Sequence, residues 1–150
     1  MVVAVGADHG GYALKVLVVE QLRREGHQVI DVGAFNEERS DYPDFARLVG
    51  RALQEGHAER GILICGSGVG ACIAANKMRG IRASVCHDTY SARQGVEHDA
   101  MNVLVLGGRI IGYELAFELT RAFLGAQFNQ VERYIARLKK VEALETERCL

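Results

Sequence analysis

The sequence predicts an α/β domain: a parallel sheet of five strands, helices on both faces and one extra C-terminal helix. Three observations predict it. Five short runs rich in Val, Ile and Leu recur without polar alternation, as in strands buried on both faces. Longer amphipathic stretches separate them, which points to β-α units. Glycines cluster just after the first, third and fifth runs.

The first strand is expected over Val2–Val5. A helix follows over Tyr12–Glu25, with Leu14, Leu17, Val18 and Leu22 facing inward and Lys15, Arg23 and Arg24 facing away. Gly26 is placed to stop it. Val29–Val32 reads as the second strand. Pro43, the only proline, suits the first turn of a helix reaching Gln54. Gly61–Ile64 is the third strand and Gly68–Lys77 its helix. Arg82–Cys86, then a helix over Thr89–Glu97, form the fourth unit. Asn102–Leu106 and a helix over Tyr113–Leu124 form the fifth. A last helix spans Val131–Glu147 on a narrow seam of Val131, Ile135, Leu138, Val141 and Leu144. Such a seam suits packing on a second subunit or on its own domain.

With 150 residues, the chain fits one domain spanning 1–150. Hydrophobic residues make up 49% and charged residues 25%, ordinary globular usage. A net charge of -1 gives no field to attract nucleic acid or an anionic membrane. No apolar run is long enough to span a bilayer. The VVAVGA run lacks a basic leader and is interrupted at once by Asp8 and His9, so a cytoplasmic location is expected. Cys65, Cys72, Cys86 and Cys149 form no C-x-x-C pair and read as reduced thiols.

In an open parallel sheet, ligands sit at the carboxyl ends of the strands. Asp8 and His9 follow strand one, Cys65 follows strand three, and Arg109 follows strand five. His98, Asp99 and Asn102 precede strand five, so they need a return loop to reach that rim. The strongest signal is GILICGSGVGACIAANK at 61–77, in which a strand runs through Gly66, Gly68 and Gly70 into a helix. Glycines let successive backbone N–H groups converge on one anion or oxyanion. A tight turn alone would need fewer glycines. Gly66, Gly68 and Ala71 also satisfy the looser dinucleotide pattern G-x-G-x-x-A, with Asp88 about where a ribose-binding acid belongs. Against a dinucleotide, the motif lies in the third unit, and the chain has no room for a separate substrate domain.

Cys65 stands where a nucleophile or base would stand. Its plainer reading is a small apolar residue closing a buried strand. Cys65, Cys86 and His87 lack ligand-like spacing, so no metal is expected. Arg133 and Arg137 share a helix face, continued by Lys140. An anion between them would offset their repulsion, although a solvated face diluted by Glu132, Glu142 and Glu145 is the simpler reading of the residues alone.

The stretches ADHGGYALK (7–15), SDYPDFA (40–46), GILICGSGVGACIAANKMRGIRASVCHDTYSAR (61–93) and EH-x-x-x-NVLVLGGRIIG (97–112) resemble ribose-5-phosphate isomerase B and its relatives. The likeness covers nearly the whole chain. It implies a Rossmann-like three-layer fold and a homodimer, or dimer of dimers, with shared active sites. It also implies an aldose–ketose isomerase that uses no metal and no cofactor. Cys65 would be the base moving a proton between C1 and C2, assisted by Ser67 and by the Gly66–Gly70 amides. His98 would help open the furanose ring, with Asp8 at its hydroxyls. Tyr42 and Asn102 match substrate-contacting positions, Asp99 occupies another such position, and His9, Arg109, Arg133 and Arg137 would hold the phosphate. The chain departs from the family at Asp99, where Asn is usual, and at Tyr134, where His is frequent. Both departures bear on the substrate: ribose 5-phosphate first, then galactose 6-phosphate, allose 6-phosphate or a tetrose phosphate. A non-catalytic nucleotide-binding module is the remaining alternative.

Overall fold

A computed structural model describes residues 1–147. Cys149 lies outside the described residues. The elements run β1 (Val2–Ala7), α1 (Tyr12–Arg24), β2 (Gln28–Asp31), α2 (Tyr42–Gln54), β3 (Arg60–Cys65), α3 (Val69–Ala75), β4 (Ala83–Val85), α4 (Thr89–Asp99), β5 (Val103–Gly107), α5 (Tyr113–Gly125) and α6 (Glu132–Glu147). All strand pairings are parallel, and the order across the sheet is β2-β1-β3-β5-β4. The expected α/β fold is therefore observed, with each strand in its expected place.

Burial explains the apolar runs. Residues 3–7 of β1, 61–65 of β3 and 103–107 of β5 are buried without a break. Successive side chains serve opposite faces. Ile62, Ile64, Leu104 and Leu106 pack with Leu22, Val96, Leu119 and Phe123 of α1, α4 and α5. Leu63, Val103 and Val105 pack with Ala46, Val49, Ala71 and Ala75 of α2 and α3. Small alanines on α2 and α3 let those helices lie close to the sheet.

Gly26 ends α1 at φ +87°. Its N–H donates to Arg23 O at 3.1 Å and that of His27 to Leu22 O at 3.0 Å, a Schellman closure. The inward face of α1 differs from expectation. Leu17 is 39% exposed, whereas Lys15 is 1% exposed. The Lys15 ammonium lies 2.6 Å from Asp31 Oδ1 and donates to Ala34 O at 2.6 Å. That pairing lets the lysine stem fill core space next to Val18, Val19 and Leu22.

α6 lies on α4, and Tyr134 is its only buried residue among those described. Val131, Val141 and Leu144 of the seam are exposed. No described helix is long and apolar enough to cross a membrane.

Candidate active site

The chain from β1 turns to β2 on one side and reaches β3 on the other, so a crevice opens between the carboxyl ends of β1 and β3. Asp8 stands on one lip and Cys65 on the other. Asp8 is buried, and its Oδ1 accepts from the N–H groups of Gly10 (2.9 Å) and Gly11 (3.1 Å). The turn needs glycine at 11, since a Cβ there would sit 2.2 Å from Ile64 O.

The glycine loop wraps Cys65. Gly68 N–H donates to Cys65 Sγ at 3.1 Å, and Val69 N–H to Ser67 Oγ at 3.2 Å. Gly68 takes φ +85°, a conformation that suits glycine. Gly108 and Arg109 tie the end of β5 to this loop: their N–H groups donate to Cys65 O (2.8 Å) and Gly66 O (3.0 Å). A cavity of about 370 Å³ results, in which Asp8, Tyr42, Cys65, Ser67, Gly70 and Arg109 converge. Tyr42 opens α2 and lies over Gly70, where an added Cβ would be 2.6 Å from the ring.

An adjoining cavity of about 470 Å³ shares Asp8 and Tyr42 and adds His9, Arg39 and Ser40. Ser40 Oγ accepts from His9 N–H at 3.1 Å, and the His9 Nδ1 lies 3.1 Å from Ser40 O. Sequence reasoning passed over Ser40 and Arg39. Their one signal was adjacency to the Asp41-Tyr42-Pro43 helix start.

The structure thus brings together Asp8, His9, Tyr42, Cys65, Gly66, Ser67, Gly68, Val69, Gly70 and Arg109. It does not bring His98, Asp99, Asn102, Arg133 and Arg137 to the same place. The expected return loop is absent: α4 continues through Asp99, and only Ala100–Asn102 lead into β5. Cys65 pairs with Gly107 and Gly61 with Val103, so the two groups are separated by the length of β5, about 13 Å. Asn102 is committed elsewhere. Its Oδ1 accepts from Arg82 N–H at 2.8 Å, and its Nδ2 donates to Gly80 O at 2.8 Å. The Asn102 side chain therefore pins the turn before β4.

His98 anchors the second group. Its ring stacks on Tyr134 with centroids 4.2 Å apart and planes 19° apart. Arg133 donates to Tyr134 Oη at 2.9 Å. Arg137 is exposed on the same helix. Asp99 lines a larger cavity of about 610 Å³ at the β4 edge, with Ile81, Val85, Met101, Val141 and Leu144. That hollow shares no lining residue with the Cys65 cavity.

The dinucleotide reading loses its acid. Asp88 is the N-cap of α4 and accepts from Ser91 N–H at 2.7 Å, which lowers its pKa. Burial pushes the Cys72 and Cys86 thiols up. Among the described residues, no group of three or more His, Cys, Asp or Glu is gathered as metal ligands would be.

A thiol, a carboxylate and an arginine at the switch point of a parallel sheet define a binding crevice for a small oxygen-rich anion. The sequence pattern of the ribose/galactose isomerase family matches residues 3–141. Ribose-5-phosphate isomerase B of Escherichia coli is 45% identical over 97% of both chains. D-Erythrulose-4-phosphate isomerase of Pectobacterium atrosepticum is 43% identical over 84% of both. The solved ribose-5-phosphate isomerase B of Clostridium thermocellum superposes with a TM-score of 0.96, at 43% identity over 99% of both chains. The chain belongs to the ribose/galactose isomerase family and is an aldose–ketose isomerase of phosphorylated sugars.

Proposed function

We propose that the enzyme interconverts ribose 5-phosphate and ribulose 5-phosphate, with Cys65 as the base. The observation that carries this reading is the placement of Cys65 Sγ inside a glycine cup, 3.1 Å from an inward-pointing amide and in one cavity with Asp8 and Arg109.

The proton on C2 of an aldose is weakly acidic, so charge must be stabilised on oxygen as that proton leaves. The Cys65 sulfur, as thiolate, takes the C2 proton, and the electron pair forms the C1=C2 bond of an enediolate. A proton moves from O2 to O1, and the thiol returns its proton to C1. Nothing is oxidised or reduced overall beyond the two carbons. Amides of the 66–70 loop other than those of Gly68 and Val69, which bond Cys65 Sγ and Ser67 Oγ, face the developing oxyanion, a contribution of about 3 kcal/mol for one good donor. His9 and Arg109 hold the phosphate, which fixes C1 and C2 against the sulfur.

Ring opening precedes this step. The C1–O4 bond breaks, a proton leaves O1 and one arrives on O4, so none is consumed. We assign the hydrogen bond at O4 to His98 of a second copy, and phosphate contacts to that copy's Arg133 and Arg137. Two features favour a homodimer with shared sites. The groups lie at opposite ends of one chain's sheet, and Val69 and Ile110 are exposed beside the Cys65 cup. Asn102 is left out of the substrate set because its side chain is bonded to the backbone.

A second reading is another phosphosugar. It is favoured by the Pectobacterium relative, which carries a four-carbon sugar phosphate in its name. Asp99 favours it too, since a carboxylate accepts hydrogen bonds from hydroxyls but donates none. The test is turnover by purified protein with EDTA present, on ribose 5-phosphate, galactose 6-phosphate, allose 6-phosphate and erythrose 4-phosphate. The first is expected to show the highest kcat/KM. A higher value on any other would transfer the assignment to that sugar.

A further inference from the structure

His98 is held on two sides, by Gln94 and by Tyr134. One turn earlier on α4, Gln94 places its Nε2 2.8 Å from His98 Nδ1. Across the gap to α6, Tyr134 stacks flat on the imidazole. Tyr134 is in turn fixed by Arg133, which donates to its hydroxyl and lies over its ring at 4.8 Å. The segment leading to α6 is tied to the same turn of α4, because Asn129 N–H donates to Glu97 O at 2.8 Å. Stacking fixes the plane of the ring, and the amide fixes its rotation within that plane.

The two ring nitrogens are distinct, and the bond made by one decides the protonation of the other. An amide nitrogen can only donate. With Gln94 donating to Nδ1, the neutral ring must carry its hydrogen on Nε2, the nitrogen left for a ligand. We infer that Gln94 is a positioning residue that presents His98 as an Nε2–H donor, with Tyr134 holding the ring plane. This rests on the reading of His98 as the group at the furanose ring oxygen. That oxygen, gaining charge as C1–O4 opens, needs a donor and would be repelled by a bare nitrogen lone pair. The groups around the imidazole are Gln94, Glu97 and Asp99 on α4 and Arg133 and Tyr134 on α6. Of these, only Gln94 bonds a ring nitrogen.

The test is a two-bond proton–nitrogen spectrum of His98 in the intact protein, at a pH near 8.5 where an imidazole is ordinarily neutral. It would be recorded for wild type, Gln94→Met and Gln94→Glu, with ribose 5-phosphate kinetics on the same samples. The wild type is expected to carry its hydrogen on Nε2. Gln94→Glu, an acceptor only, should move it to Nδ1 and lower kcat at least about tenfold. Gln94→Met should keep more activity than Gln94→Glu, because it leaves the ring free to choose. A wild-type hydrogen on Nδ1, or a Gln94→Glu spectrum unchanged from wild type, would overturn the inference. A tautomer that moves while kcat does not would uphold Gln94's hold on the ring and remove His98 from ring opening. The dispersed spectrum itself reports whether each variant is folded.

Discussion

The backbone amide of Gly68 points at the sulfur of Cys65 across 3.1 Å. The last residue of β3 and the cap of α3 are thus coupled through one hydrogen bond, and that bond exists because Gly68 adopts φ +85°. Gly68→Ala would strain this conformation and bring a Cβ to 3.2 Å from Leu106 O. It should cost about 1–3 kcal/mol of stability and lower kcat about tenfold or more as the amide turns from the sulfur. Thermal unfolding and steady-state kinetics together check both effects.

Gly70 has a different constraint, since its space is taken by Tyr42. A methyl group there collides with the ring at 2.6 Å. Tyr42 is exposed and can swing away, so Gly70→Ala should change Tm little while raising KM several-fold. A KM equal to that of wild type would take Tyr42 out of the binding surface.

Lys15 and Asp31 form the one ion pair with a fully buried member among the described residues. Lys15→Met removes the cation and leaves Asp31 and the Ala34 carbonyl without it. The expected loss is about 3 kcal/mol, or roughly 6–12 °C in Tm for a chain of this size. Urea unfolding of Lys15→Met and of Lys15→Met/Asp31→Leu checks it, the double variant recovering part of the loss.

Cys72 and Cys86 both have thiol pKa values raised above 9.0, chiefly by burial. For such a group the unfolded chain ionises first. The associated stability is complete below pH 9.0 and falls as pH climbs through the raised folded values. Tm should therefore decline more steeply above pH 9 in wild type than in Cys72→Ala/Cys86→Ala. In the native protein at neutral pH, both thiols should alkylate far more slowly than after unfolding.

How much of this was legible in the sequence depended on whether the cause was local. The strands were legible because burial on both faces leaves uninterrupted apolar runs, as in Ile62–Cys65 and Val103–Leu106. The Cys65 rim was legible because strand ends, glycines and polar residues coincide there in one chain. Lys15 was misplaced because its charge outweighed its position. Residues 15, 18, 19 and 22 follow the i, i+3, i+4, i+7 spacing of a buried face, and only a partner as distant in sequence as Asp31 makes that burial tolerable. Asn102 resembled a ligand-binding amide, and its bonds to Arg82 and Gly80 depend on a turn that spacing does not reveal. The family likeness implies His98, Arg133 and Arg137 as site residues, yet their end of the sheet is opposite to Cys65. Motif order alone does not place such groups in space.

Isotope exchange tests the role of Cys65 most directly. Ribose 5-phosphate would be incubated in deuterium oxide with wild type and with Cys65→Ala, and deuterium at the exchanging carbon followed by proton NMR, with binding of the sugar phosphate measured in parallel. With Cys65 as the base, wild type exchanges and isomerises, whereas Cys65→Ala binds the sugar within a few-fold of wild type but shows neither exchange nor turnover. Exchange by Cys65→Ala at a rate near wild type would contradict the assignment and move the base to another residue of the cup.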